Sequence, residues 1–247
     1  MSAVSIYAHR GGMANAPENT VAAMKAAVSE GADAVECDIR RTADGQFVAF
    51  HDASTGRLCG RDWKISETSW AHLKNLRVLD QEPIAHLDDI LNVAILHPGL
   101  EFFLELALEK EADAADLALQ VQRAGVQSRV YPLVFSHKAA LLGAVRQAVP
   151  GIGCAIMPLF PCNMLKTAQT AGASKVCAGW VDWPLARELF YLGAAACDFK
   201  KQADEAEEAG VEVSAGIANH PRDMRRLVEL GARAVWTDDV PMAVKYL

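Results

Sequence analysis

Few charged side chains interrupt the β-like runs of this chain, and they are of types that do chemistry together: His9, Arg10, Glu36, Asp38, His51, Asp52 and Glu105. A buried carboxylate costs several kcal/mol unless it is paired or bound to metal. Three of them converging, as Glu36, Asp38 and Glu105 would at one end of a sheet, repel each other unless a cation lies between them. Oxygen-only ligation suits a hard divalent ion, Mg²⁺ or Ca²⁺, better than zinc. His9 and His51 can supply a general acid and a general base near neutral pH. Arg10 offers a permanent charge and a planar fork for phosphate oxygens. Such a set fits cleavage of a phosphoryl ester, with cation and arginine stabilising oxygen charge while the histidines move protons.

These residues need a scaffold that brings strand ends together. Short β-rich runs alternate with Ala/Leu-rich helical patterns from end to end. Strands are predicted at 4–8, 34–39, 47–50, 102–106, 130–135 and 234–237, with weaker ones at 152–156, 175–178 and 211–215. Helices begin near Pro17-Glu18-Asn19-Thr20 and Pro221, and Gly31, Gly125 and Gly231 stand where helix C-termini belong. This rhythm predicts an α/β fold, a TIM-type (β/α)8 barrel, in which residues at the C-terminal strand ends face a shared mouth. No Gly-x-Gly-x-x-Gly follows a strand, which weighs against a dinucleotide fold. The segment between Ile39 and Val48 is too short for a crossover helix, so the barrel carries an early antiparallel β-hairpin turning at Asp44-Gly45. Centring that turn between Ala43 and Asp44 sets Glu36 opposite His51 and Asp38 opposite Ala49, on one face of the hairpin. Residues 1–247 are read as one barrel domain with a small insertion around 53–83.

Composition excludes several classes. The chain has 247 residues, 24 basic and 31 acidic, for a formal charge of −7, and 51% hydrophobic content. It is long enough to bury a core without staples. No apolar stretch spans a membrane, and the acidic balance argues against a nucleic-acid binder. The six cysteines form no C-x-x-C pair and no zinc spacing, so no disulfide framework is expected. With no signal peptide ahead of the first strand, a reducing cytoplasm is the expected compartment.

The order of these residues resembles the glycerophosphodiester phosphodiesterase family, a phospholipase-C-like barrel. The resemblance is carried by His9-Arg10-Gly11-Gly12, Pro17-Glu18-Asn19-Thr20, Glu36-Cys37-Asp38, Asp44-Gly45 and His51-Asp52. It continues more loosely through Arg57, Leu73, 83–91, Glu105, Ser136, Asn219 and Gly231 to Thr237-Asp238. It implies hydrolysis of a small-molecule glycerophosphodiester to an alcohol and sn-glycerol 3-phosphate with a divalent metal. The neighbouring glycerol hydroxyl would attack phosphorus, giving a cyclic phosphate that water opens. His9 and His51 would be the acid/base pair, Arg10 a phosphate contact, and Glu36, Asp38 and Glu105 the metal ligands. A homo-oligomer is left open.

Two positions depart from the family pattern. Ala107 stands where a lysine is usual, and His137 or Lys138 is a candidate to compensate. Gly216 stands where a tryptophan precedes Asn219 by three residues. Both lie in the recognition set, which keeps other readings open: a different diester, such as a lysophospholipid or a modified glycerophosphate, or a barrel that binds phosphodiesters without cleaving them. Outside the cluster, plainer roles are expected. His72, His86, His97 and His220 read as surface or capping groups, Asn19 as a helix start, and Asp238 as a strand end that caps a loop. Asp52 is either a partner orienting His51 or a turn residue, and Trp236 is a candidate border of the substrate site.

Overall fold

A computed structural model describes residues 4–181 and 183–247. Eight parallel strands close into a barrel: β1 (Ser5–Ala8), β2 (Ala34–Arg41), β6 (Glu101–Leu106), β7 (Val130–Phe135), β8 (Ala155–Met157), β9 (Lys175–Gly179), β10 (Glu212–Gly216) and β11 (Ala234–Thr237). Neighbouring strands follow in the order β1-β11-β10-β9-β8-β7-β6-β2, and β1 pairs again with β2 to complete the ring. Helices return the chain outside it: α1 (Val21–Glu30), α4 (Leu87–Leu96), α5 (Glu111–Arg123), α6 (Ala139–Ala148), α7 (Met164–Ala171), α8 (Ala186–Ala196), α9 (Phe199–Glu208), α10 (Pro221–Glu229) and α11 (Val240–Tyr246). Their inward faces, such as Leu117 and Val121 of α5 and Leu142 and Val145 of α6, bury fully against the strands. The predicted strands at 152–156 and 211–215 begin later than expected, at Ala155 and Glu212.

The hairpin forms, with a register one residue away from the expected one. β3 (Phe47–Ala49) pairs with β2 as Ile39↔Ala49, Arg40↔Val48 and Arg41↔Phe47. The turn is centred on Asp44 instead of before it. Thr42 and Gln46 close a three-residue loop in which Gly45 takes a left-handed φ of 82° and the Thr42 hydroxyl donates to Asp44 Oδ1. A one-residue slip moves side chains to the other face, so His51 does not sit opposite Glu36. It lies beyond the end of β3 and reaches the mouth by another route.

Between β3 and α4 the chain forms α2 (Gly56–Cys59), α3 (Trp70–Leu73) and a two-stranded ribbon of β4 (Arg77–Val78) and β5 (Glu82–Pro83). Val48, Phe50, Leu58, Ile65, Leu73, Leu76, Val78 and Ile84 make a small hydrophobic cluster of their own beneath it.

The barrel interior is filled by aromatic rings. Tyr7, Phe103 and Trp236 pack with centroids 4.9–5.2 Å apart, and Tyr131 stacks on Phe103 at 5.3 Å. Trp236 is part of this plug, its indole N–H donating to Ser214 Oγ at 2.8 Å. At the N-terminal strand ends below it, Lys175 Nζ lies 3.0 Å from Glu101 Oε2 and 2.9 Å from Glu212 Oε2. Tyr7 and Tyr131 donate their hydroxyls to the same two glutamates. One disulfide is present, Cys162–Cys197, correcting the expectation of none. Its cysteines are 35 positions apart, and adjacent βα units bring them together in space, so no local spacing announces the pair.

Candidate active site

Strand register assembles the acidic residues. Glu36 and Asp38 are two apart on β2 and share a face, while the β2–β6 pairing sets Glu105 beside Asp38. One oxygen from each carboxylate lies within 4.8 Å of the other two. Burial, reinforced by the charges of Asp38 and Glu105, drives the Glu36 carboxyl well above its ordinary range. Burial and Asp38 push Glu105 up to about 8. Glu36 Oε1 is buried with no hydrogen-bond partner among the described residues. An orphaned oxygen within a knot of mutually repelling carboxylates is what a hard divalent cation relieves, so the donor set fits such an ion.

Arg10 is brought over this cluster by an unusual backbone turn. After β1 the chain enters the left-handed region at Arg10 (φ 51°) and Gly11 (φ 84°). A Cβ on Gly11 would press to 3.0 Å from Ala23 Cβ and 3.2 Å from the Met24 nitrogen, so glycine lets the start of α1 pack against the turn. The Arg10 backbone N–H donates to Glu36 Oε2 at 2.8 Å, and its guanidinium lies 3.4 Å from Asp38 Oδ2 and 3.1 Å from Glu18 Oε1. Asn19 does more than start a helix, and Thr20 is the residue that caps α1. Buried at φ 58°, Asn19 accepts from the Asp38 backbone N–H at 2.9 Å and donates to Asp38 Oδ2 at 2.8 Å.

Each histidine has its Nδ1 against a carboxylate. His9 Nδ1 is 2.7 Å from Asp238 Oδ1, and its Nε2 is 4.0 Å from Glu36 Oε2. Asp238 is itself held by Asn219, whose amide donates to Oδ2 at 2.5 Å and accepts from the Asp238 N–H at 2.8 Å. Burial opposes ionisation of Asp238, but His9 and Asn219 outweigh it and hold the carboxyl below its ordinary range. His51 Nδ1 is 2.7 Å from Asp52 Oδ1, and Arg57 Nε donates to Asp52 Oδ2 at 2.6 Å. Arg57 also grips Glu18 through two nitrogens at 3.0 and 2.8 Å, linking His51 to the Arg10 side of the mouth. Against the cost of burial, Arg57 and His51 pull Asp52 down to about 2. Arg40, two residues beyond Asp38 on the same strand face, donates to the His51 carbonyl at 2.9 Å and so fixes that residue past the strand end. A carboxylate on Nδ1 selects the tautomer that leaves Nε2 as the working nitrogen.

The structure thus gathers Glu36, Asp38, Glu105, Arg10 and His9 at one mouth and ties His51 to them through Asp52, Arg57 and Glu18. Sequence reasoning missed Arg40 and the partnership of Asp238 with His9. Arg40 carries a legible signal, continuing the period of two set by Glu36 and Asp38; Asp238 shows only its place directly after a barrel strand, without its partner. His86 and His220 are helix caps, as expected, each accepting a backbone N–H at 3.2 Å. Lys138 rests on the Leu108 carbonyl and Glu109, 3.0 and 2.8 Å away. At Gly216 a Cβ would lie 2.5 Å from Trp236 Cβ and 2.7 Å from its carbonyl oxygen, so the barrel wall itself leaves no room for the tryptophan usual there.

A family model described as the glycerophosphoryl diester phosphodiesterase family matches residues 9–242. A glycerophosphodiester phosphodiesterase of Caldanaerobacter subterraneus is 24% identical over 256 residues, covering 95% of this chain and 93% of that one. Among solved structures, an Oleispira antarctica phosphodiesterase in complex with the product sn-glycerol-3-phosphate superposes with a TM-score of 0.80 at 23% identity, covering 98% of this chain and 96% of the other. The glycerophosphodiester phosphodiesterase of Thermotoga maritima superposes at 0.76 with 22% identity, over 99% of both chains. With its barrel and with that match along nearly its whole length, the chain belongs to the glycerophosphoryl diester phosphodiesterase family and is a phosphodiesterase.

Proposed function

We propose that this mouth hydrolyses glycerophosphodiesters to an alcohol and sn-glycerol 3-phosphate, with His9 and His51 as the proton-transfer pair. The observation that carries the reading is the matched support of the two imidazoles: each has Nδ1 on a carboxylate, Asp238 or Asp52, beside an arginine-flanked acidic cluster. Arg10 would bind the non-bridging phosphate oxygens, its planar fork matching their geometry. One histidine takes the proton of the oxygen that attacks phosphorus, and the other gives a proton to the departing alkoxide as the phosphorus–oxygen bond breaks. Asp238 and Asp52 hold the imidazoles in orientation and stabilise each as it becomes cationic.

Glu36, Asp38 and Glu105 would hold Mg²⁺ or Ca²⁺. When bound, the ion neutralises the carboxylates and draws charge from the phosphoryl oxygens as they gain it. Release of sn-glycerol 3-phosphate from glycerophosphocholine, glycerophosphoethanolamine and glycerophosphoglycerol, with Mg²⁺, Ca²⁺ or EDTA, tests the reading directly. Release that needs a divalent ion and disappears in His51→Ala is expected. No release from any of the three with either ion refutes it.

A further inference from the structure

Of the cationic side chains around the mouth, Arg10 pairs with Glu18 and Asp38, Arg57 with Glu18 and Asp52, and Lys138 with Glu109. Arg40 differs: it is half-buried and, among the described residues, enters no ion pair. The barrel sets its place. Glu36, Asp38 and Arg40 alternate along one face of β2, so Arg40 stands one step nearer the C-terminal strand end than Asp38. The β2–β6 register of Asp38↔Glu105 and Ile39↔Leu106 runs on to Ala107, whose N–H donates to the Ile39 carbonyl at 3.0 Å. Ala107 offers only a methyl group there, and Arg40 is the longer side chain at that height. Its Nε and Nη2 both donate to the His51 carbonyl, at 2.9 and 2.5 Å. That grip uses one edge of the guanidinium and leaves Nη1 without a hydrogen bond among the described residues. The carboxylates that act on its charge are Asp38, Asp52, Glu105 and Glu109, and Glu105 in turn feels both Arg10 and Arg40.

Holding the His51 carbonyl requires a donor and no charge, so the tether alone does not account for an arginine. A half-buried cation without a counter-charge costs free energy that an arriving anion offsets. The same mouth leaves Glu36 Oε1 without a partner. An orphaned carboxylate oxygen and an unpaired guanidinium call for opposite charges, and a phosphodiester seated beside a cation brings both. Arg10 and Arg57 have carboxylates on their guanidinium groups already, whereas Nη1 of Arg40 is uncommitted. Arginine also suits the task, because its planar fork holds the carbonyl with one edge while presenting another to an oxyanion.

We propose that Arg40 is a second phosphate-binding residue, whose Nη1 shares the non-bridging oxygens of the diester with Arg10 and so reads the phosphoryl group and not the alcohol. The proposal rests on the active-site reading for the identity of its anion. Arg40→Gln keeps a donor for the His51 carbonyl and removes the charge, Arg40→Met removes both, and Arg40→Lys keeps the charge. Melting curves establish that each variant is folded. Binding of sn-glycerol 3-phosphate and of inorganic phosphate is measured by titration calorimetry with Mg²⁺ or Ca²⁺, and turnover of glycerophosphocholine and glycerophosphoglycerol is followed alongside. Arg40→Gln and Arg40→Met should weaken both probes about tenfold to a hundredfold, the worth of one charge-assisted hydrogen bond, and Arg40→Lys should recover most of that loss. KM for the two diesters should rise by the same factor in Arg40→Gln, because a contact to phosphoryl oxygens does not sense the alcohol. A wild type that binds neither probe overturns the proposal, as does an Arg40→Gln that binds both as tightly as the wild type. Equal losses in Arg40→Gln and Arg40→Lys overturn it in favour of a tether for His51. A rise in KM that differs between the choline and glycerol diesters overturns it by placing the guanidinium at the alcohol. Wild-type protein that binds both probes but cleaves neither diester refutes the active-site reading, while the calorimetry still decides Arg40.

Discussion

Both ends of the barrel bury a knot of charge, and the two knots are built differently. At the N-terminal end Lys175 lies between Glu101 and Glu212, with two tyrosine hydroxyls on the remaining carboxylate oxygens. Burial disfavours the ammonium, but the two glutamates outweigh it and raise the Lys175 pKa above its ordinary value. At the C-terminal end three carboxylates crowd together, two of them driven upward, and a buried oxygen of Glu36 has no partner. The first knot is satisfied by its own members, and the second is complete only with something added. Buried charge alone therefore does not identify a site; three carboxylates crowded together, with one oxygen left unpartnered, point to one.

The largest way to break the contrast is to remove the two histidines proposed as the proton-transfer pair. His9→Ala and His51→Ala should each lower turnover by about two to four orders of magnitude with the thermal midpoint nearly unchanged. Steady-state kinetics and a melting curve check both halves, and full activity in either variant removes that histidine from the mechanism. Lys175→Met should do the opposite, costing stability and leaving turnover of the folded protein near wild type. About 2–4 kcal/mol is expected by urea unfolding, less than for a fully buried pair because the glutamate side chains are 31% and 35% exposed.

Asp238→Asn tests the support beneath His9. Loss of one charge-assisted hydrogen bond, ~1.5–3 kcal/mol, should slow turnover about tenfold to a hundredfold with little change in KM. A change in KM alone would place Asp238 in binding instead.

The smallest effects sharpen the comparison through pH. Asp52 is depressed from 3.8 to about 2, so its contribution to stability is in place above its ordinary value and lost as pH falls through the folded one. The stability gap between wild type and Asp52→Asn should close in acid. Lys175 is raised above 10.5, so its contribution is full below that value and lost as pH rises through the higher folded one. The gap between wild type and Lys175→Met should hold through neutrality and close in alkali. A Lys175→Met gap that survives in strong alkali, or an Asp52→Asn gap that survives in strong acid, removes the pairing assigned to that group.

Much of this was legible because a barrel turns strand order into position. Alternation along β2 put Glu36 and Asp38 on one face, and the next parallel strand supplied Glu105 at the matching depth. What failed was register across the hairpin, which depends on whether the turn centres on Asp44 or before it, a matter of one side-chain hydrogen bond and one left-handed glycine. Long-range partners were also hidden. Asp238 meets His9 because the last strand pairs with the first, a closure that local patterns do not encode. The Cys162–Cys197 bridge escaped for the same reason.

The aromatic plug has a kinetic meaning. With Tyr7, Phe103 and Trp236 filling the interior and Lys175 sealing the floor beneath, the described residues form a cup closed at the N-terminal strand ends instead of a tube. Substrate, water, alcohol and phosphomonoester must all pass the same lip. Departure is therefore a queue, and the fragment seated deepest leaves last and blocks the next arrival, so the last product to leave acts as a competitive inhibitor.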